Sequence, residues 1–170
     1  LRQFGEQPLQ QAIDSALQDS QKIQSVYQQD QLIAQLYELP ERLLSDAEQS
    51  FEWAQRHILV KSLELAQRKT KDLQERLKKA QLQILERFLP KQGRKIFRQM
   101  DQAQAFIERV TKRHQVQGLL QAHLELRPDT KRKGQIVHCQ LQVQQDKVQQ
   151  TIKQHGWRVY ATNCPVQQLS

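Results

Sequence analysis

The chain has 170 residues, with 26 Lys and Arg against 18 Asp and Glu for a formal charge of +8, enough to bury a real hydrophobic interior. Apolar residues make up 38% and mean hydropathy is −0.78; no stretch approaches the ~20 apolar residues a spanning helix needs, so no membrane partner is expected. Five Gly, five Pro and two Cys exclude collagen-like, Pro/Gly low-complexity and disulfide-framework classes, and Gln, about one residue in five, is scattered rather than in a tract.

The first residue is Leu1, with neither a signal peptide nor a transit segment after it, which suggests an internal piece of a longer cytoplasmic protein. Leu9, Ile13, Leu17, Ile23, Val26 and Tyr27 recur mostly at steps of three and four, predicting one or two helices over Leu9 to Leu39, ended by Pro40. Leu43, Leu44, Ala47, Phe51 and Ala54 predict another helix over Glu41 to Gln55. The run His57-Ile58-Leu59-Val60 breaks the helical period and reads as a strand, with a continuing helix as the alternative.

From Leu63 the pattern is most regular. Leu63, Ala66, Thr70, Leu73, Leu77, Ala80 and Ile84 step alternately by three and four, a coiled-coil seam, with Arg68, Lys69, Lys71, Lys78 and Lys79 off it. Pro90 and Gly93 turn the chain into a second helical pattern, Met100, Ala103, Phe106, Ile107 and Val110. So short a connection predicts an antiparallel helical hairpin, each helix covering the other's seam; an intermolecular coiled coil is the alternative.

After Gly118 the period falls to two. Leu120, Ala122, Leu124 and Leu126 alternate with Gln121, His123, Glu125 and Arg127; after a turn-like loop at Pro128-Asp129, Val137, Cys139, Leu141 and Val143 alternate with His138, Gln140, Gln142 and Gln144. The expectation is an antiparallel strand pair. Asp146-Lys147-Val148-Gln149 has capping-box spacing, and the helix it opens should end at His155, before Gly156; Trp157 to Thr162 is β-rich. The fold class expected is therefore α+β, mostly helical. It comprises an N-terminal helical segment (1–55), a strand-like run and basic helical hairpin (56–117), and a β-β-α-β segment (118–170).

Charge is uneven. Residues 1–60 hold four basic and nine acidic groups, net −5, so residues 61–170 carry +13. Two basic clusters fall at expected loop tips, Lys91, Arg94, Lys95 and Arg98, and Lys131, Arg132 and Lys133. Such clusters suit contacts to a phosphate backbone, which position a protein on nucleic acid without reading bases; a merely solvated basic surface is the alternative. Five His and two Cys show no metal-ligand spacing, and adjacent His138 and Cys139 point to opposite faces of a strand. A pairing of Cys139 with Cys164 stays open, although a cytoplasmic chain would keep both reduced. No Gly-rich phosphate loop, G-x-S-x-G elbow or paired catalytic carboxylates can be nominated.

Three stretches resemble insertion-sequence transposases of the DDE type. They are His57-Ile58-Leu59-Val60-Lys61-Ser62-Leu63 with Ala66-Gln67-Arg68 and Leu73-Gln74-Glu75-Arg76-Leu77-Lys78-Lys79-Ala80, then Val116-Gln117-Gly118-Leu119-Leu120, then Gly156-Trp157-Arg158-Val159-Tyr160-Ala161-Thr162-Asn163 with Pro165 and Leu169-Ser170. The similarity covers Arg56 to Ser170. It implies a ribonuclease-H-like domain that cuts and joins DNA at transposon ends, using Mg²⁺ or Mn²⁺ held by two aspartates and a glutamate. It implies too that the acids flank this region, two before it and one on a helix after it, so no catalytic or metal-binding residue transfers to this chain. Whether the full-length protein is a homo-oligomer stays open, as does the alternative of a non-enzymatic helical scaffold or nucleic-acid-binding module.

Overall fold

The computed structural model describes residues 6–39, 42–46, 51–91, 95–129 and 134–162. The chain is α+β and clusters into two compact units, residues 1–69 with 154–170, and residues 70–153.

The first unit opens with α1 (Glu6–Gln18). Pro8 is tolerated in its first turn, where backbone N–H groups have no intrahelical acceptor. A 3-10 turn leads to β1 (Gln24–Gln28) and β2 (Gln31–Glu38), joined by Gln29 and Asp30 at φ 49° and 62°. Two successive positive φ values make the two-residue turn whose twist matches a hairpin. β3 (Arg42–Asp46) and β4 (Phe51–Ser62) follow. β2 and β3 both run antiparallel to β4, on successive stretches of it, and the Leu39 amide donates to the His57 carbonyl between them. β7 (Trp157–Thr162) pairs antiparallel with β4 over Arg56 to Lys61, opposite β2.

One face of this sheet presents Tyr37, Leu59 and Trp157, covered by Ala12, Ile13 and Ala16 of α1. Leu59, fully buried, is the centre, with Tyr37 and Val159 as its cross-strand partners. On the opposite face the Arg56 guanidinium pairs with Glu38. Ser62 caps the helix that follows, its Oγ accepting from the Leu65 amide at 3.3 Å.

The helices expected over Leu9 to Leu39 and Glu41 to Gln55 give way, after α1, to β1, β2, β3 and the start of β4, and the described residues of the 1–55 segment hold more strand than helix. Val26, Tyr27, Leu32, Ile33, Leu36 and Tyr37 fit helical steps as well as strand alternation, and a long β-rich partner in β4 decides between them. His57 to Val60 is strand, as expected. Two antiparallel sheets replace the mostly helical expectation.

The second unit holds most of α2 (Leu63–Phe88), then α3 (Met100–Arg113), the β5 (Leu120–Pro128) and β6 (Gln135–Val143) hairpin, and α4 (Gln145–Lys153). The seam residues Leu73, Leu77, Ala80 and Ile84 are buried with Ile107 and Val110 of α3, Leu120, Cys139 and Val148. The two helices are antiparallel: Phe97 bridges Phe88 and Phe106 at one end, and Arg76 donates to Gln115 at the other. The predicted β-β-α-β order is present, but β5 and β6 form a two-stranded sheet while β7 belongs to the sheet of the first unit. α4 stops at Lys153, two residues short of His155, and a turn leads to Gly156.

Candidate nucleic-acid interface

The second unit carries 18 of the 26 Lys and Arg but 8 of the 18 Asp and Glu, net +10, leaving −2 for the first. Its positive field is therefore concentrated in 84 residues, enough to attract a phosphate polymer.

The described part of the first basic cluster lies beside the base of the loop whose sequence holds the second. Lys95 to Arg98 lie outside helix and strand, and the Phe97 carbonyl accepts a hydrogen bond from the Val137 amide at 2.9 Å, on the edge of β6 away from β5. This docks the α2–α3 connection beside the base of the β5–β6 loop. Arg98 then reaches across it: Nη2 is 4.0 Å from Asp129 Oδ2, and a Cβ on Gly134 would lie 3.2 Å from Nη1. Gly134 at φ +123° and the Asp129 amide donating to the Gly134 carbonyl close that loop base.

Lys91, Lys95 and Arg98 are exposed here; Arg94, Lys131, Arg132 and Lys133 lie outside the described residues. Arg98 is half exposed and its partner nearly buried. At 4.0 Å in partial solvent the pair contributes little stability; Arg98 lies against the loop base while staying half exposed.

Arg87 is the residue that sequence reading missed. Its guanidinium lies 4.1 Å from the centroid of Phe97 and 5.9 Å from that of Phe106, and its Nη1 is buried without a hydrogen-bond partner. It clamps the connection from the α2 side by cation–π attraction. No local signal announces this, because both aromatic partners come later in the chain.

Away from this end an open cleft of about 450 Å³ runs between the later part of α3 and the start of β5, lined by Gln104, Ile107, Glu108, Thr111, Lys112 and Leu120 among others. Its polar groups are a mixed set with no nucleophile and base paired. Among the described residues no three of His, Cys, Asp and Glu come together to hold a metal ion. None is therefore assigned to the Mg²⁺ or Mn²⁺ that the resemblance implies, and no chemical step is derived through one. Cys139 is buried within β6, and burial pushes its thiol above the ordinary range; Cys164 lies outside the described residues. No described helix is long and apolar enough to cross a membrane.

The chain matches no family model, no curated protein and no solved structure.

Proposed function

We propose that this chain is a DNA-contacting region of a DDE-type transposase, gripping the phosphate backbone through the shared end of the α2–α3 connection and the β5–β6 loop. The observation that supports it most is the reach of Arg98 to Asp129 and Gly134, the described ends of the loop whose sequence carries the second basic cluster. The +10 charge of the unit supplies the long-range attraction, and the Leu63, Val116 and Trp157 stretches supply the family resemblance. The ribonuclease-H-like assignment and DNA at transposon ends as the partner belong to the same proposal and rest on that resemblance alone. No catalytic acid is assigned to this chain, so strand cleavage is not part of its own activity.

Fluorescence anisotropy with a labelled duplex, titrated across salt concentrations, tests the proposal. Each phosphate contact contributes about −0.9 to the slope of log K against log[salt], so replacing Lys91, Lys95 and Arg98 by Gln should flatten it by about 2 to 3. A slope near zero in the parent chain, or one unchanged in the triple variant, would overturn the grip at this end. Strand cleavage by the chain with Mg²⁺ or Mn²⁺ would overturn the non-catalytic assignment.

The alternative of a helical scaffold needs the Leu63 to Ile84 seam free for a partner. Leu73, Leu77, Ala80 and Ile84 are instead buried within the second unit.

A further inference from the structure

The β5–β6 ribbon has two unlike faces. Inward, Leu120, Ala122 and Leu124 meet Cys139, Leu141 and Val143 and close onto the core. Outward stand Gln121, His123, Glu125 and Arg127 on β5 and Gln140 and Gln142 on β6, all exposed. Register sets them opposite one another, Gln121↔Gln142 and His123↔Gln140. Glutamine is abundant throughout the chain, so its presence alone argues nothing; the adjacent Gln121↔Gln142 and His123↔Gln140 pairs on the exposed face of a narrow ribbon do.

These side chains differ in what already engages them. Arg127 gives Nε and Nη2 to Glu125 Oε2 at 3.0 and 2.8 Å, a charge-neutral pair nearest the basic loop. Gln144 donates to Gln121 Oε1, fixing that amide. No hydrogen bond or ion pair among the described residues engages His123, Gln140 or Gln142. Two side-chain amides and an imidazole are thus left pointing outward as donor–acceptor groups.

We infer that this outward face reads base edges in the major groove of duplex DNA, with Gln140, Gln142 and His123 as the specificity-determining side chains. The inference rests on the DNA reading above and adds sequence discrimination to it. A two-stranded ribbon fits the major groove, about 12 Å wide, where an amide can pair with adenine N6 and N7 together and an imidazole can donate to guanine N7 or O6. From Gln121 to Arg127 the ribbon spans about 20 Å at strand rise, the length of about six base pairs. The Lys95 to Arg98 segment then lies at one end of the ribbon, where flanking phosphates would pass. Duplex RNA is a poor alternative, because its major groove is too deep and narrow for side chains to read.

Selection of binding sites by the full chain from a random duplex pool tests this. The expected result is an enriched motif of about two to three base pairs containing adenine, bound at least about fivefold more tightly than scrambled duplex, the least that one bidentate base contact supplies. In the His123→Ala, Gln140→Ala, Gln142→Ala variant that preference should disappear while the salt-dependent background binding stays. Replacing adenine by 7-deazaadenine in the selected site should have the same effect on the unaltered protein, which makes the test independent of whether the variant folds. Salt-dependent binding with no enriched site overturns this inference and leaves the phosphate grip standing. An enriched site that survives both the triple substitution and 7-deazaadenine overturns it too. No duplex binding at all removes the DNA reading, and the inference with it.

Discussion

The Val137 amide donates to the Phe97 carbonyl at 2.9 Å, tying the chain between the two long helices to the edge of the β-ribbon. The Phe97 ring, on the same residue, stacks at 5.1 Å from Phe88 and 5.6 Å from Phe106 under the Arg87 guanidinium. One residue therefore ties the segment before α3 to both long helices and to the ribbon. Phe97→Ala should destabilise the chain by about 2 kcal/mol, below the 3–5 kcal/mol of a fully buried Phe because Phe97 is half-buried. Urea unfolding checks the stability. DNA affinity should fall in the same variant because Arg98 is no longer held; unchanged affinity would separate the anchor from the grip.

Gly156 and Gly118 both have positive φ, +86° and +74°, but different surroundings. A Cβ at Gly156 would lie 2.5 Å from the Ser62 carbonyl oxygen and 2.8 Å from Ala66 Cβ, where β7 enters beside the start of α2; a Cβ at Gly118 meets nothing within 4 Å. Gly118→Ala should cost only the backbone strain, about 1–2 kcal/mol. Gly156→Ala adds a collision with backbone and should cost at least about 2 kcal/mol more, the range in which overpacking acts. Paired thermal melts would test this, and equal losses would show that Ser62 yields to the added methyl group.

What was legible follows from how local the deciding interaction is. The three-four stepping of Leu73, Leu77, Ala80 and Ile84 marks the buried face of α2 because a helix fixes its own spacing. The alternation around Ala122 and Cys139 marks the ribbon for the same reason, and its two faces separate as the sequence indicates. β1 and β2 were not legible: the turn at Gln29 and Asp30 lacks the Asn-Gly or Asp-Gly signature, and β4, which holds the sheet together, takes its other partner, β7, from the far end of the chain. Of the candidate interface, the basic clusters were visible as composition. The approach of Arg98 to Asp129, and the Arg87 clamp, depend on contacts between distant segments that no local pattern carries.

Leu73 is 2% exposed and Leu77 is 6% exposed within the α2–α3 core. Leu73→Lys places an ammonium where no acidic partner waits, so it should unfold the second unit rather than dissociate an oligomer; Leu73→Ala should already cost about 2–5 kcal/mol. Circular dichroism with sedimentation velocity distinguishes the outcomes. A variant that keeps its helicity and changes only its association state would mean that the seam serves a partner chain after all.

Cys139 gives a pH dependence whose sign follows from its burial. Desolvation disfavours the thiolate, so the folded-state pKa lies above the ordinary 9.0. Below about pH 9 both states keep the proton, and Cys139 adds no pH dependence. From there up to the raised folded value, the unfolded chain releases a proton that the folded chain retains. Stability must then fall with rising pH, by at most about 1.4 kcal/mol per unit, and the difference becomes constant once the folded thiol ionises too. Comparing wild type with Cys139→Val cancels the other titrating groups. The gap between them should be flat from about pH 6 to 8.5 and shift against the wild type above about pH 9, measured by urea unfolding at each pH. A gap that stays flat to about pH 10.5 would mean that the thiol ionises equally in both states and that β6 leaves it open to water.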